Sequence, residues 1–328
     1  MQRHSSVLRR LLPAIAASAL AIAPGLAQSA YPERPIKMVV AYAPGGGTDI
    51  TARLTAEYVQ KYLGNNATFV VLNRPGAGGA IGFTELANAA PDGYTIGFVN
   101  TPNVLTIPIE RKSNFHWQDF DLLGNLVDDP GNFSVHADSP HKSLKDLVAF
   151  AKANPGAVTY GTTGIGSDDH IATLAFERAA GIKMTHVPFK GAAEVHKAIV
   201  GKDITVAAMN IGEALQYVKG GSAMRQLGQM STTRTALAPN VPTFKEQGYD
   251  IIMASLRGIG APKGLPPAVR DQLAAAVQKA ANDPEFQAKA AGFFAPLRFL
   301  PPAAYATELK DAEAGFKQLW QAMPWGEK

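Results

Sequence analysis

Pro44-Gly45-Gly46-Gly47-Thr48-Asp49 joins a predicted strand to a predicted helix. The run before it, Ile36 to Tyr42, is apolar and β-branched, and the segment after it, Asp49 to Leu63, has apolar residues at helical spacing and ends at Gly64. Glycines let a backbone approach a ligand closely, and a helix start offers unpaired N–H groups and the positive end of the helix dipole. We expect Thr48 or Asp49 to cap this helix. By itself the turn is equally typical of an anion site and of an ordinary strand-to-helix connection.

Short β-type runs alternate with helix-period segments along most of the chain. The predicted strands are residues 36–42, 69–72, 94–99, 158–160, 184–187, 204–209 and 251–259, and the predicted helices are residues 49–63, 81–90, 144–153, 168–180, 192–200, 266–281 and 303–321. This alternation predicts an α/β fold with a mostly parallel sheet and helices on both faces.

Two lobes are expected, because about 300 residues exceed what one hydrophobic core usually supports. The stretch from Phe120 to Val135 interrupts the alternation with two β-type pieces around Asp128-Asp129-Pro130-Gly131, and we interpret it as a crossing between lobes. The chain is predicted to return near Leu227 to Ser231. The first lobe is then residues 28–127 plus 251–328, and the inserted second lobe is residues 128–250. Two connections between lobes form a hinge.

The first 27 residues have the layout of a secretory signal peptide, with three Arg before an apolar run from Leu11 to Leu26. Pro13 and Pro24 interrupt that run, which argues against a membrane-spanning helix. Cleavage is expected after Ala27, with Ala30 as the alternative. The mature protein is therefore expected in the periplasm.

Composition excludes several classes of partner. The net charge is +4, and three of these four charges belong to Arg residues of the leader, so the mature chain is near +1 and offers no basic face for nucleic acid. The chain has no Cys, which excludes disulfides and a lipid-modified Cys at the cleavage site. We expect a monomer that binds no nucleic acid.

A second glycine-rich turn, Gly161-Thr162-Thr163-Gly164-Ile165-Gly166-Ser167, also joins a predicted strand to a predicted helix. Open parallel sheets bind ligands beyond the carboxyl ends of their strands, so both turns belong at one cleft between the lobes. We expect Gly45, Gly46 and Gly166 to present N–H groups to a carboxylate, and Thr163 and Ser167 to add hydroxyl contacts.

Other turns provide further candidates for the walls of this cleft. Asn73–Gly79 is by itself more typical of a structural turn, and Asn100–Pro102 and Lys190–Ala192 also follow or precede predicted elements. Asp49 is expected to orient a water. The predicted ligand-binding residues are Tyr42, Pro44, Gly45, Gly46, Asp49, Asn73, Gly76, Asn100, Thr101, Thr162, Thr163, Gly166, Ser167, Asp169, His170, Lys190 and Gly191.

Several short motifs occur in a fixed order along nearly the whole mature chain. They are YPxRPI at 31–36, PGGxxD at 44–49, NxPGAGG at 73–79, DGYT at 92–95, GxGSxxH at 164–170, HVPFKG at 186–191 and PNVPTxxExG at 239–248. The combination resembles the Bug (TctC-like) solute receptors of tripartite tricarboxylate transporters. The resemblance implies a type II periplasmic-binding-protein fold, with two α/β lobes joined by a hinge and the ligand cleft between them. It also implies a small carboxylate ligand, held by backbone groups and water, and delivery to the membrane subunits of such a transporter.

Three positions depart from the family pattern. Asp168 and Asp169 precede His170 where relatives commonly have other residues, Leu256-Arg257 stands where they often have Trp and an aromatic residue, and Phe189 replaces a frequent Tyr. The two acids either favour the helix dipole or meet an amine or hydroxyl group of the ligand, and the sequence leaves both readings open.

Enzyme signatures are absent from the sequence. The residues around Ser167 lack the second Gly of a nucleophile elbow, and the first glycine turn is neither a Walker loop nor a full dinucleotide loop. No His-x-x-x-His or His/Cys cluster occurs. We expect no catalytic residue, no metal and no cofactor. A receptor that reports to a sensor kinase, and a periplasmic hydrolase, are the alternatives.

Overall fold

The computed structural model describes residues 31–326, so the predicted signal peptide and the cleavage site at Ala27 lie outside the described residues, as does the alternative site at Ala30. The strands are β1 (Ile36–Val40), β2 (Phe69–Asn73), β3 (Thr95–Asn100), β4 (Phe120–His136), β5 (Thr159–Thr162), β6 (Thr185–Pro188), β7 (Val206–Asn210), β8 (Met224–Gln229), β9 (Ala254–Pro262) and β10 (Leu297–Leu300). The helices are α1 (Gly47–Leu63), α2 (Ala80–Ala87), α3 (Asn103–Glu110), α4 (Leu144–Ala153), α5 (Asp168–Ala180), α6 (Ala192–Val200), α7 (Ile211–Lys219), α8 (Pro267–Ala281), α9 (Pro284–Gly292) and α10 (Pro302–Ala322).

The strands form one continuous series in the order β2-β1-β3-β9-β4-β7-β5-β6, with β8 and β10 paired to β4. Pairing is parallel at both ends, where β1 lies between β2 and β3 and where β5 lies between β6 and β7. In the middle, β9 is antiparallel to β3 and β4, and β4 is antiparallel to β7. The expected mostly parallel sheet is therefore found at the two ends, while long antiparallel strands join them.

The central strand β4 corrects the prediction of two separate β-type pieces. It runs for 17 residues without interruption, and Pro130 lies inside it. Pro130 is the last residue paired with β9, and Gly131 is the first paired with β7. A Pro lacks the N–H group that a sheet ladder needs, and it is tolerated here because the strand changes partners at this residue.

Separate hydrophobic clusters lie at the two ends of the sheet. One packs α1, α8 and α9 against β1, β3 and β9, and includes Tyr58 and Phe286. Another packs α4 and α5 against β4 and β7, with Phe133, Phe176 and Phe244 in edge-to-face contact at 5.1–5.5 Å between ring centroids. Such ring geometry is the favoured one for aromatic pairs.

The division of the chain into a lobe of residues 28–127 plus 251–328 and a lobe of residues 128–250 stays a prediction.

Five elements were not predicted: α3, α7, α9, β8 and β10. Pro108 lies inside α3, and Gly212 lies in the first turn of α7, so both helices contain residues that disfavour helix interiors.

None of the helices between residues 31 and 326 combines the length and the hydropathy that crossing a bilayer requires.

Gly258 is the most crowded of the described strand glycines, because a side-chain carbon there would meet the ring of Tyr305. The Tyr305 hydroxyl donates to the Val99 carbonyl oxygen at 2.7 Å and the residue is fully buried. We expect Gly258→Ala to lower the free energy of unfolding by about 1–3 kcal/mol, as overpacking of a filled core does.

The control is Gly315→Ala in α10, where nothing lies within 4 Å of an added Cβ. Replacing a helical Gly by Ala is expected to raise the free energy of unfolding by about 0.5–1 kcal/mol. Urea unfolding of both variants gives the comparison, and a Gly258→Ala protein as stable as the parent would contradict the packing described.

Candidate functional site

The two glycine-rich turns border one pocket at the ends of β1 and β5. The pocket is lined by Tyr42, Gly46, Gly47, Thr48, Asn100, Asn103, Thr163, Asp168, Ala192, Asn210, Glu213, Ser255 and Arg257. Its free volume is about 20 Å³, room for one or two water molecules. Four of the predicted ligand-binding residues thus line one cavity: Tyr42, Gly46, Asn100 and Thr163.

Helix α1 begins at Gly47, two residues earlier than the sequence predicts. Gly46 is the N-cap and makes no side-chain cap, so the expectation that Thr48 or Asp49 caps the helix is wrong. Both residues are already inside the first turn of the helix. The Thr48 hydroxyl accepts a hydrogen bond from Asn100 Nδ2 at 2.9 Å, which fixes β3 against the helix start.

Asp49 is held by groups of its own turn. Its carboxylate accepts from the Gly45 N–H at 3.0 Å and from Asn73 Nδ2 at 2.9 Å, and it pairs with Arg53 at 2.8 Å. Burial works to raise the pKa of Asp49, but these hydrogen bonds outweigh burial and lower it. Asp49 is therefore an ionised structural group whose bonds also occupy the Gly45 N–H.

A carboxylate of the protein occupies the start of α1. The Gly47 N–H donates to Glu213 Oε1 at 2.9 Å, and Glu213 belongs to α7. Helix starts attract anions because their N–H groups lack partners within the helix. Glu213 was not among the predicted site residues, because the short helix α7 that carries it was not predicted.

Arg257 of β9 is the centre of the polar network beside this pocket. Its Nη2 donates to Asp129 Oδ2 at 3.0 Å, to Asn210 Oδ1 at 3.1 Å and to Glu213 Oε1 at 3.1 Å. The guanidinium is only 2 % exposed. Burial works to lower the pKa of Arg257, and the nearby carboxylates outweigh it and raise the pKa, which keeps the group charged.

The second turn is bound mostly to itself. Ser167 is buried and caps α5 by accepting from the His170 N–H at 3.2 Å, while the Gly166 N–H donates to His170 Nδ1 at 3.2 Å. Thr162 is also buried and contacts His186 Nε2 at 2.7 Å. The ligand contacts expected of Gly166 and Ser167 therefore compete with internal hydrogen bonds, and they stay predictions.

Asp168 and Asp169 are both buried at the start of α5, and only Asp168 lines the pocket. Asp168 Oδ2 accepts from Asn210 Nδ2 at 2.7 Å, and Asp169 Oδ2 accepts from the Thr163 hydroxyl at 3.3 Å. Burial, more than the neighbouring acids, raises the pKa of both carboxyl groups. Burial likewise raises the pKa of Asp129 to about 7.

Two neighbouring histidines, buried His170 and half-buried His186, carry no charge that could offset these acids. His170 and His186 stack at 4.1 Å between ring centroids, and burial lowers their pKa values to about 3 and about 4. Both are therefore neutral at pH 7.

The remaining predicted residues do not line this pocket. Asn73 Nδ2 donates to the Tyr42 carbonyl oxygen, Thr101 Oγ1 accepts from the Leu256 N–H, and the Lys190 carbonyl oxygen accepts from the Ala43 N–H. Gly191 is the N-cap of α6, Gly76 precedes a short 3-10 helix, and Pro44 is exposed at the rim.

Residues 51–294 match the Tripartite tricarboxylate transporter family receptor model, TctC. The chain belongs to this receptor family. A relative from Cupriavidus necator, the "UPF0065 protein in gbd 5'region", is 36% identical over 296 residues, 89% of each chain. Periplasmic binding protein BugD is 30% identical with a TM-score of 0.84 over 91% of this chain and all of BugD. Rpa4515 of R. palustris with adipate is 25% identical, with a TM-score of 0.83 over 89% of this chain and 97% of that one.

These similarities confirm two predictions. The receptor has the α/β fold of periplasmic binding proteins, and it is a Bug (TctC-like) family member. They leave the roles of its individual pocket residues untested.

Sequence reasoning missed Glu213, Asn210 and Ser255 as lining residues of the receptor's pocket. The one available signal was the unusual Arg257, since a cation in a buried strand requires acidic partners. Those partners are 128 and 44 residues away in the chain, so only the fold identifies them as Asp129 and Glu213.

We expect Arg257→Met to lower the free energy of unfolding of the receptor by about 3 kcal/mol or more at pH 7, because Asp129 and Glu213 would lose their buried partner. The matched control is Arg298→Met, whose side chain is 41 % exposed and pairs with Asp128 and Glu308. Surface pairs contribute about 0–1 kcal/mol, so the control should stay within that range. Equal losses in the two variants, measured by urea unfolding, would contradict the buried network.

We expect Asp168→Asn to change how stability depends on pH. A carboxyl group whose pKa is raised by folding stabilises the protein at low pH, and that contribution is lost as the pH rises above its ordinary value of 3.8. The unfolding free energy of Asp168→Asn relative to the parent should therefore rise by about 1–3 kcal/mol between pH 4.5 and 7.5.

Urea unfolding at several pH values measures this difference, and comparison with the parent removes the opposing contribution of His170 and His186, whose pKa values are lowered. Asp271→Asn, at a side chain that is 69% exposed, is the control and should give a constant difference. A constant difference for Asp168→Asn as well would rule out a raised pKa at this site.

Proposed function

We propose that this chain is a periplasmic receptor that captures a small organic acid between two lobes and delivers it to the membrane subunits of a tripartite tricarboxylate-type transporter. The observation that carries the proposal is the start of α1, whose first-turn N–H groups border a pocket shared with the start of α5. Helix starts favour anions. Membership of the receptor family supports uptake rather than catalysis, and the adipate held by Rpa4515 supports a carboxylate ligand.

Within this proposal the lobes are residues 28–127 plus 251–328 and residues 128–250, and they move about the strands that join them. Pro130, where β4 changes partners, and the chain before β9 are the two connections. A free volume of about 20 Å³ is too small for an organic acid, so the ligand enters an open form and contacts both lobes on closure. The mature receptor acts as a monomer in the periplasm, after removal of residues 1–27.

The first test is a thermal-shift screen of residues 28–328, unfolded and refolded to remove any ligand carried through purification. The probes are mono-, di- and tricarboxylates, aromatic acids and acidic amino acids. A ligand at about 100 times its Kd adds about 2.7 kcal/mol of stability, visible as a shift of a few degrees. No shift with any of these acids would contradict the proposal.

Gly46→Val tests the position of the site. A side-chain carbon at Gly46 would lie 3.7–3.8 Å from Ala192 without strain in the backbone, so valine fills the pocket mouth while the fold is kept. We expect at least a tenfold loss of affinity, about 1.4 kcal/mol, for any acid found in the screen.

The control is Gly292→Val at the end of α9, far along the chain and with nothing within 4 Å of an added Cβ. It should bind like the parent. Isothermal titration of both variants measures the effect, and unchanged affinity in Gly46→Val would place the ligand elsewhere.

A further inference from the structure

The pocket has more carboxyl groups than cations to pair with them. Asp168 and Glu213 line it, and Asp129 and Asp169 lie directly behind. Among the lining residues, Arg257 is the one cation, and its Nη2 is already shared between Asp129, Asn210 and Glu213. The pocket surface around α5 and α7 is therefore acidic.

Two acceptor oxygens of lining residues have no hydrogen-bond donor in the described chain. They are Glu213 Oε2 and Asn100 Oδ1, and their residues are 6 % and 2 % exposed. Behind them, Asp169 Oδ1 also lacks a donor. One donor of a lining residue, Arg257 Nε, also lacks a partner in the described chain. Buried polar atoms are almost always paired, so a ligand that completes this pocket brings N–H or O–H donors to these oxygens and an acceptor to Arg257.

The start of α1, which contacts Glu213, has the reverse character. Gly46, Gly47 and Thr48 form the start of α1, where the helix dipole is positive and the first N–H groups have no partner within the helix. Glu213 accepts from the Gly47 N–H, and Gly46 and Thr48 line the same cavity. One pocket thus combines a wall suited to a carboxylate with a wall suited to a cation.

We propose that the ligand is an organic acid that carries a protonated amine, with its carboxylate at the start of α1 and its ammonium group between Glu213 and Asp168. This inference rests on the proposed function and specifies its substrate class. A second carboxylate in place of the amine would face two like charges with little water to screen them. The receptor therefore selects zwitterionic acids over dicarboxylates.

Matched ligand pairs test the inference on the unmodified mature receptor. Each pair differs by the amine alone: alanine and propionate, aspartate and succinate, glutamate and glutarate, 6-aminohexanoate and hexanoate. Isothermal titration at pH 7 is expected to show that the amine-bearing member of at least one pair binds at least tenfold tighter than its partner. Equal or tighter binding of the amine-free member in every pair that binds would overturn the inference and leave the proposed function intact.

Failure of the proposed function has a different signature, because then neither member of any pair, nor any acid of the screen, would bind. That outcome would overturn the inference as well. The measurement needs no variant, so it does not depend on whether a substituted protein folds.

The variants Glu213→Gln and Asp168→Asn test whether the amine of the ligand lies between these two side chains. Both substitutions keep an oxygen that can accept the existing bonds, from the Gly47 N–H for Glu213 and from Asn210 for Asp168. Each should lower the affinity for the amine-bearing member at least tenfold and raise that for the amine-free member. A parallel loss for both members would indicate mere damage to the pocket and contradict the assignment, and Asp271→Asn at the exposed surface should bind as the parent does.

Discussion

The buried guanidinium of Arg257 is the constraint on which the pocket depends. Transferring a charged group out of water is costly unless it is paired and hydrogen-bonded, so Arg257 requires Asp129 and Glu213 at its side. These three residues belong to β9, β4 and α7, elements of different parts of the sheet. This ionic network therefore holds β4, β9 and α7 together beside the pocket.

The same network alters what the start of α1 can bind. Glu213 bonds to both Arg257 and the Gly47 N–H, so part of the positive end of the helix is already matched by the protein's own carboxylate. His170 and His186 are neutral at pH 7, so they add no positive charge beside Asp168 and Asp169. The consequence is a pocket with two electrostatically different walls, although the net charge of the whole chain is small.

Local signals in the sequence predicted the elements that have clear ends. The bounds of α4, α5 and α6 were predicted to the residue, because Ser143, Ser167 and Gly191 stand at their N-caps. The continuity of β4 was not predictable, since its residues alone do not show that two different partners cover Pro130 on either side. Missing α7 had the larger effect on the site, because the residue that occupies the start of α1 was missed with it.

In the proposed binding mode, backbone groups and side chains of the pocket have different roles, and this difference would let one receptor fold hold different acids. Backbone N–H groups at a helix start recognise any carboxylate, because their geometry does not depend on side chains. In the proposed binding mode, discrimination then falls to the side chains of Asp168 and Glu213. A like charge on that wall excludes unwanted ligands as effectively as a favourable contact attracts the right one. If the proposed ligand is correct, the specificity of this receptor depends on which of its buried acids lack a partner, and Arg257 pairs with Asp129 and Glu213.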